Sequence, residues 1–212
     1  MKRLFVVSLI LMMAAVAFGQ TTNTAVQTSA SFTVGKNVSS ESAALTFYMD
    51  NKVTFTYRHC DKYLNHDGTV NVAACNADSS TVYSQVTKHN LTTNAGKDFI
   101  KAQISGTGVT TNCAYIAVGN SAVTPAATDT TLTGEVSTNG LSRAVGTYSS
   151  TGTGTFTLVK TFTATGAVSS LQAAAVFTAA SSGTMCFEVG SLGPVTMATN
   201  DTLTVTWSGS VS

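Results

Sequence analysis

Asp201-Thr-Leu-Thr-Val-Thr-Trp-Ser-Gly-Ser-Val211 alternates apolar and small polar side chains. Leu203, Val205, Trp207 and Val211 share one parity, and Thr202, Thr204, Thr206, Ser208 and Ser210 share the other. That is the period-2 signature of a strand with one buried face. Burying three apolar side chains of this size contributes roughly 5–9 kcal/mol before entropy is subtracted, which predicts a structural strand and not a frayed tail.

The same signals recur upstream. Strands are expected at 114–118, 168–178 and Met185–Val189, and a hairpin at 141–149 and 155–164 joined across Ser150-Thr-Gly-Thr-Gly154. Phe156, Leu158 and Phe162 share a face of the second arm, interrupted by Lys160. Residues 124–129, Thr-Pro-Ala-Ala-Thr-Asp, read as a loop. A single helix is predicted within 90–106: Thr92 or Thr93 supplies an N-cap, Phe99, Ile100 and Ile104 an apolar side, and Gly106 a left-handed C-terminal residue. Toward the N-terminus, short strands are expected at 30–34, 44–49, 52–57, 69–74 and 81–86, with Asp50-Asn51 as a turn. They form either a small subdomain or additions to the main sheet. The fold class is thus all-β: a β-sandwich of jelly-roll or immunoglobulin-like order, with one short helix and a small N-terminal β region. The expected division is 1–19, 20–88 and 89–212.

The first segment reads as a secretory leader. Lys2 and Arg3 precede an almost unbroken apolar run over 4–18, and Ala15-Val-Ala-Phe-Gly-Gln20 offers small residues for cleavage. The run falls short of the roughly 20 apolar residues of a spanning helix, so no stable membrane span is expected after cleavage. A secreted, extracellular location follows. Only 10% of the 212 residues are charged, against a usual quarter, so the surface must be covered by hydroxyls. Basic and acidic residues nearly balance, 11 against 10, and no basic stripe suits nucleic acid.

Four cysteines in an exported chain most economically make two disulfides. The favoured pairs are Cys60–Cys75, closing a loop around a polar excursion, and Cys113–Cys186, joining two strands of the sandwich. Because Cys186 opposes the parity of Met185, Phe187 and Val189, the second bridge is expected on the outside of the sheet. His59, Cys60, His66 and Cys75 are ligand types for zinc, but they lack the usual paired spacing, and the compartment favours sulfur–sulfur bonds. No metal or cofactor is expected. Asn65-His-Asp-Gly68 reads as an ordinary Asp-Gly turn, and His89 as a polar residue before the helix.

Catalysis by paired carboxylates would have to unite two of Asp61, Asp67, Asp78, Asp98, Asp129, Glu135, Glu188 and Asp201, which are scattered through the sequence. Serines abound without a G-x-S-x-G elbow, and Gly106-Thr-Gly108 and Gly152-Thr-Gly154 are connectors without the helix start of a phosphate site. Solvated surface is the simpler reading, and no catalytic residue is assigned. Tyr115, Tyr148 and Trp207 are ring types that stack on sugars, although the parity of Trp207 places it in the core.

His89-Asn-Leu-Thr-Thr-Asn-Ala-Gly-Lys-Asp-Phe-Ile100, Tyr115-Ile-Ala-Val-Gly119, Thr124-Pro-Ala-Ala-Thr-Asp-Thr-Thr-Leu-Thr-Gly-Glu135, Gly146-Thr-Tyr148, Lys160-Thr-Phe-Thr-Ala-Thr-Gly166, Ser182-Gly-Thr-Met185 and Asp201-Thr-Leu-Thr-Val-Thr-Trp207 occur in that order. Together, over 89–212, they resemble small β-rich tail-associated or minor structural proteins of tailed-bacteriophage virions. The resemblance implies a non-enzymatic, oligomeric surface component whose partners are further copies or other virion and surface proteins. Ala174-Ala-Val-Phe-Thr-Ala179 departs from the Gly-Leu-Phe-Asn-Ala-like segment of that family, and the cysteines, the leader and the region to Lys88 are additions. The alternative expectation is a secreted adhesin or glycan-binding sandwich that contacts cell-surface sugars. A secreted hydrolase is the third.

Overall fold

The C-terminal strand β12 (Thr202–Val211) lies at the centre of a five-stranded antiparallel sheet. The structure is a computed structural model describing residues 49–107 and 111–211. The leader and the expected strands at 30–34 and 44–49 lie outside the described residues, Met49 excepted. On one side β12 pairs with β1 (Met49–Arg58), which pairs in turn with β2 (Val82–His89). On its other side lie β7 (Thr155–Thr163) and then β6 (Thr147–Gly152).

The register explains the alternation. Trp207 stands opposite Val53 and Leu158, Val205 opposite Phe55, and Leu203 opposite Tyr57 and Phe162. All eight side chains are buried in one core. The opposite face is a half-exposed hydroxyl layer, in which directly opposed threonines bond across strands: Thr54 to Thr87 at 2.8 Å and Thr161 to Thr204 at 2.9 Å. The N-terminal strands therefore extend the main sheet. Asp50 and Asn51 form no turn. They continue β1 opposite Ser210 and Gly209, because the ten-residue partner strand offers a backbone ladder over its whole length.

The second sheet runs in the order β3 (Leu91–Thr92), β10 (Met185–Val189), β9 (Ala173–Phe177), β4 (Tyr115–Gly119), β5 (Ala144–Val145). Ile116, Val118, Val176, Phe187 and Val189 face the first sheet. Ala117, Ala175, Phe177 and Met185 are packed on the other side beneath Val123 and Leu132 of the long 120–143 connection. Covered on both faces, these strands read as near-continuous apolar runs. A two-stranded ribbon of β8 (Val168–Leu171) and β11 (Val195–Met197) adds Leu171 and Met197 to the main core. The described chain is thus an all-β, sandwich-like fold.

Four local expectations are corrected. Residues 69–74 make no strand: Val72–Ala77 is a short helix, α1, capped by Asn71 Oδ1, which accepts the Ala74 N–H at 3.0 Å. Alanine-rich sequence favours the helix, and it turns Cys75 inward to Cys60. The hairpin connection is only Thr153-Gly154, and its first arm is split at Gly146 between β5 in one sheet and β6 in the other. In the main helix, α2 (Asn94–Ser105), Ile104 is 62% exposed instead of packed. The caps are as expected, with Thr93 Oγ1 accepting the Gly96 N–H at 3.0 Å and Gly106 at φ 65°.

The fourth concerns the second disulfide. Both bridges form as paired in the sequence, Cys60–Cys75 and Cys113–Cys186. Cys186, however, is fully buried in the main core. A register shift between Met185 and Phe187 breaks the strict alternation, so Met185 faces outward while Cys186 joins Phe187 on the core side.

Candidate functional site

The feature with the clearest capacity for contact is the outer edge of the first sheet. Among the described residues β6 is the last strand, and all six of its residues are exposed. The backbone groups of Thr147 to Gly152 that point away from β7 have no strand partner among the described residues. Such a row of donors and acceptors is a ready template for another strand. Tyr148 is 65% exposed and stacks on Phe156, with ring centroids 5.9 Å apart. Val145, three residues before it on β5, is also exposed. The strand carries no charge and no proline.

The other end of that sheet holds the polar groups singled out as a possible metal or catalytic set. His59 Nδ1–H donates to Asp201 Oδ1 at 2.8 Å, and its ring stacks on Tyr83 with centroids 4.0 Å apart. The Asp201 side chain is 4% exposed, and its Oδ2 accepts the Ala198 N–H at 2.8 Å. Burial, reinforced by the charge of Asp201, pushes the Tyr83 hydroxyl up to about 12. That hydroxyl donates to the Thr196 carbonyl at 2.7 Å. These bonds clasp the start of β12 to the β1–β2 end of the sheet. No serine or threonine hydroxyl bonds His59 among the described residues.

Cys60 and Cys75 are consumed in their bridge. His66 is exposed in the loop they close, and Asp67 ends its turn by accepting the Thr69 N–H at 2.9 Å. Asp61 opens a 3-10 turn in the same loop. Asp78 accepts from the Tyr63 hydroxyl, from Lys62 Nζ at 2.9 Å and from the Ser80 N–H at 2.8 Å. Those donors, Tyr63 first, hold it well below the usual carboxylate range. His89 contacts Asp50 at 3.2 Å at the end of β2. Among the described residues no group of three or more His, Cys, Asp and Glu side chains is placed to hold a metal ion.

Two of the eight acids meet. Glu188, buried on β10, faces Asp129 of the 124–129 loop. Burial pushes its carboxyl up to about 7, and the hydrogen bond and charge of Asp129 act in the same direction. Its Oε2 has no partner among the described residues, while Asp129 Oδ2 accepts the Ala126 N–H at 2.7 Å. Below about pH 7 the Glu188 carboxyl holds its proton. The signal in the sequence was a lone carboxylate inside the apolar run Met-Cys-Phe-Glu-Val. Asp98 pairs with Lys101 at 2.7 Å on the exposed side of α2. Glu135 takes a two-point bond from Arg143 at 2.9 and 2.6 Å, and that guanidinium lies 3.4 Å over the Phe177 ring.

Of the three rings considered for sugar stacking, Tyr148 is exposed, Tyr115 half-buried and Trp207 fully buried. Comparison with protein-family models, with curated proteins and with solved structures finds no match to this chain. The two disulfides fit an extracellular protein. No helix of the described residues is long and apolar enough to cross a membrane.

Proposed function

We propose that the chain is a non-enzymatic structural and interaction protein that joins a particle or surface assembly by strand addition at β6. The observation that carries this reading is the edge itself: six exposed, uncharged residues whose backbone groups pointing away from β7 have no strand partner among the described residues, continuous with a hydroxyl-covered sheet. Main-chain bonds would supply affinity, and alternate side chains such as Tyr148 and Ser150 would supply selectivity. A self-associating surface component is also what the resemblance to tail-associated virion proteins implies. On this reading the location is extracellular, or the virion surface where a phage encodes the chain.

The test is size-exclusion chromatography with light scattering on the exported chain, with both disulfides formed, over rising concentration. Self-association that disappears in the double substitution Ser149→Lys with Thr151→Lys supports the proposal. A monomer at every concentration overturns it. A second reading, a secreted glycan-binding module, is favoured by the exposed Tyr148 stacked on Phe156. Glycan-array binding lost in Tyr148→Ala, by a chain that stays monomeric, would establish that reading instead.

A further inference from the structure

Glu188 is the only charged residue of β10. It stands opposite Leu91 of β3 and Ala175 of β9, and it shares with Ala175 the face of the sheet that the 120–143 connection covers. The residue is 1% exposed, and its Oε2 has no hydrogen-bond partner among the described residues. An ionised carboxylate so placed is desolvated without compensation.

The neighbouring elements bring it no positive charge. Leu91 and Ala175 are uncharged. The 120–143 connection carries Asp129, Glu135 and Arg143; the last two pair with each other at 2.6 Å, and Asp129 reaches Glu188. Helix α2 also packs on β10, but its charged residues Lys97, Asp98 and Lys101 are exposed. Among the described residues the charge acting on Glu188 is therefore that of Asp129, a like charge. Two carboxyl groups brought together in this way ionise together only against strong repulsion, and one proton shared between them turns repulsion into a hydrogen bond.

What Asp129 holds gives the proton a structural consequence. Its Oδ2 accepts the Ala126 N–H at 2.7 Å, and its own N–H donates to the Ala126 carbonyl at 3.0 Å, so the 126–129 turn is closed on itself. The next carbonyl, that of Ala127, accepts the Asn94 N–H at 2.7 Å. Asn94 opens α2, and its N–H is among those a helix leaves unpaired within itself. The same connection touches the strand again two residues beyond Glu188, where a Cβ on Gly190 would meet the Val123 carbonyl at 2.0 Å and only glycine permits the approach.

We infer that Glu188 and Asp129 form a proton-dependent latch, which holds the 126–129 turn against β10 and the start of α2 and releases it when the shared proton is lost. With the proton in place, the Glu188 hydroxyl donates to the Asp129 carboxylate. Once the proton passes to solvent, two like charges face each other at a buried site, the turn lifts, and the Ala127 carbonyl leaves the first N–H of α2. The latch is independent of strand addition at β6.

The experiment measures amide hydrogen exchange by NMR on the exported, disulfide-bonded chain at pH 4 and pH 8, with intrinsic rates corrected and a chelator present. These conditions bracket the ordinary carboxyl value of 4.5 and the raised value of about 7. Within that window each pH unit weakens the protonated, closed form about tenfold. Protection of the Asn94, Ala126 and Asp129 amides should therefore fall at least about tenfold at pH 8, while that of the β12 amides holds. In Glu188→Gln, whose amide N–H donates to Asp129 at either pH, the three amides should be equally protected at both. Unchanged protection in the natural chain would overturn the latch, as would a loss shared equally by β12. A pH dependence that persists in Glu188→Gln would assign it to another group. Protection restored at pH 8 by calcium chloride in place of the chelator would also overturn the inference, by showing a cation and not a proton as the bridge.

Discussion

The two edges of the first sheet are built differently. At β2 the edge carries Lys88 and His89, and its register with β1 shifts at Tyr57 and Arg58. The adjoining turn is bonded through Arg58 Nη1 to the Asp78 carbonyl and to Thr81 Oγ1, each at 3.0 Å. Tyr83 reaches out to Thr196, and the Cys60–Cys75 loop lies beside this end. Charge, irregular register and a cross-link are the usual means of closing an edge to other chains. At β6 the register with β7 also shifts, between Ser150 and Gly152, but among the described residues the strand is uncharged, exposed and free of any cross-link, and it ends in a two-residue turn. Within one sheet, and among the described residues, one margin is cross-linked and charged and the other is neither.

Four changes test this contrast. Trp207→Ala removes the side chain at the centre of β12, opposite both Val53 and Leu158, and should cost about 3–5 kcal/mol. Hydrogen exchange should then quicken at β2 and β6 together, and a loss confined to one edge would show that β12 does not couple them. Replacing Cys60 and Cys75 by alanine opens a 15-residue loop, worth about 3 kcal/mol in the chain-entropy model. Urea unfolding should show that loss, with protection lowered at β2 and unchanged at β6.

The third change acts away from both edges. The folded Glu188 carboxyl titrates at about 7 against an ordinary 4.5, so between those values the folded chain keeps a proton that the unfolded chain has lost. Stability from this group is full below the ordinary value and falls as pH rises to about 7, by on the order of 3 kcal/mol. Urea midpoints at pH 4 and pH 8 should show Glu188→Gln gaining on the natural chain as pH rises. A constant difference between the two proteins would remove the buried proton from the account. The smallest effect on stability belongs to Ser149→Lys, within about 0.5 kcal/mol because the site is exposed. Thermal melting should hardly move, while light scattering reports weaker association.

The legible parts of the fold were those written in short-range chemistry. Strand β12 appeared in the parity of Leu203, Val205 and Trp207, and β10 in a bounded apolar run. Helix α2 was readable from Thr93 and Gly106, which satisfy backbone groups within a few residues of themselves. The strand expected at 69–74 gave way to a helix over Val72–Ala77, because so short a segment carries too little periodicity to separate helix from strand. The meeting of Glu188 with Asp129 was not readable at all. It depends on a loop folding back over β10 from some sixty residues away.

By itself, the sequence determined that the chain is β-rich, which face of its last strand is buried, and where its main helix starts and stops, and it favoured two disulfides without fixing their connectivity. Each of these follows from side-chain period, capping or the oxidising compartment implied by composition. Only the tertiary structure decided that β1 lies against β12, that a bulge turns Cys186 into the core, and that β6 is the outermost strand of its sheet among the described residues. Those outcomes rest on contacts between residues far apart in the chain, and their energies depend on packing in three dimensions that no local pattern encodes.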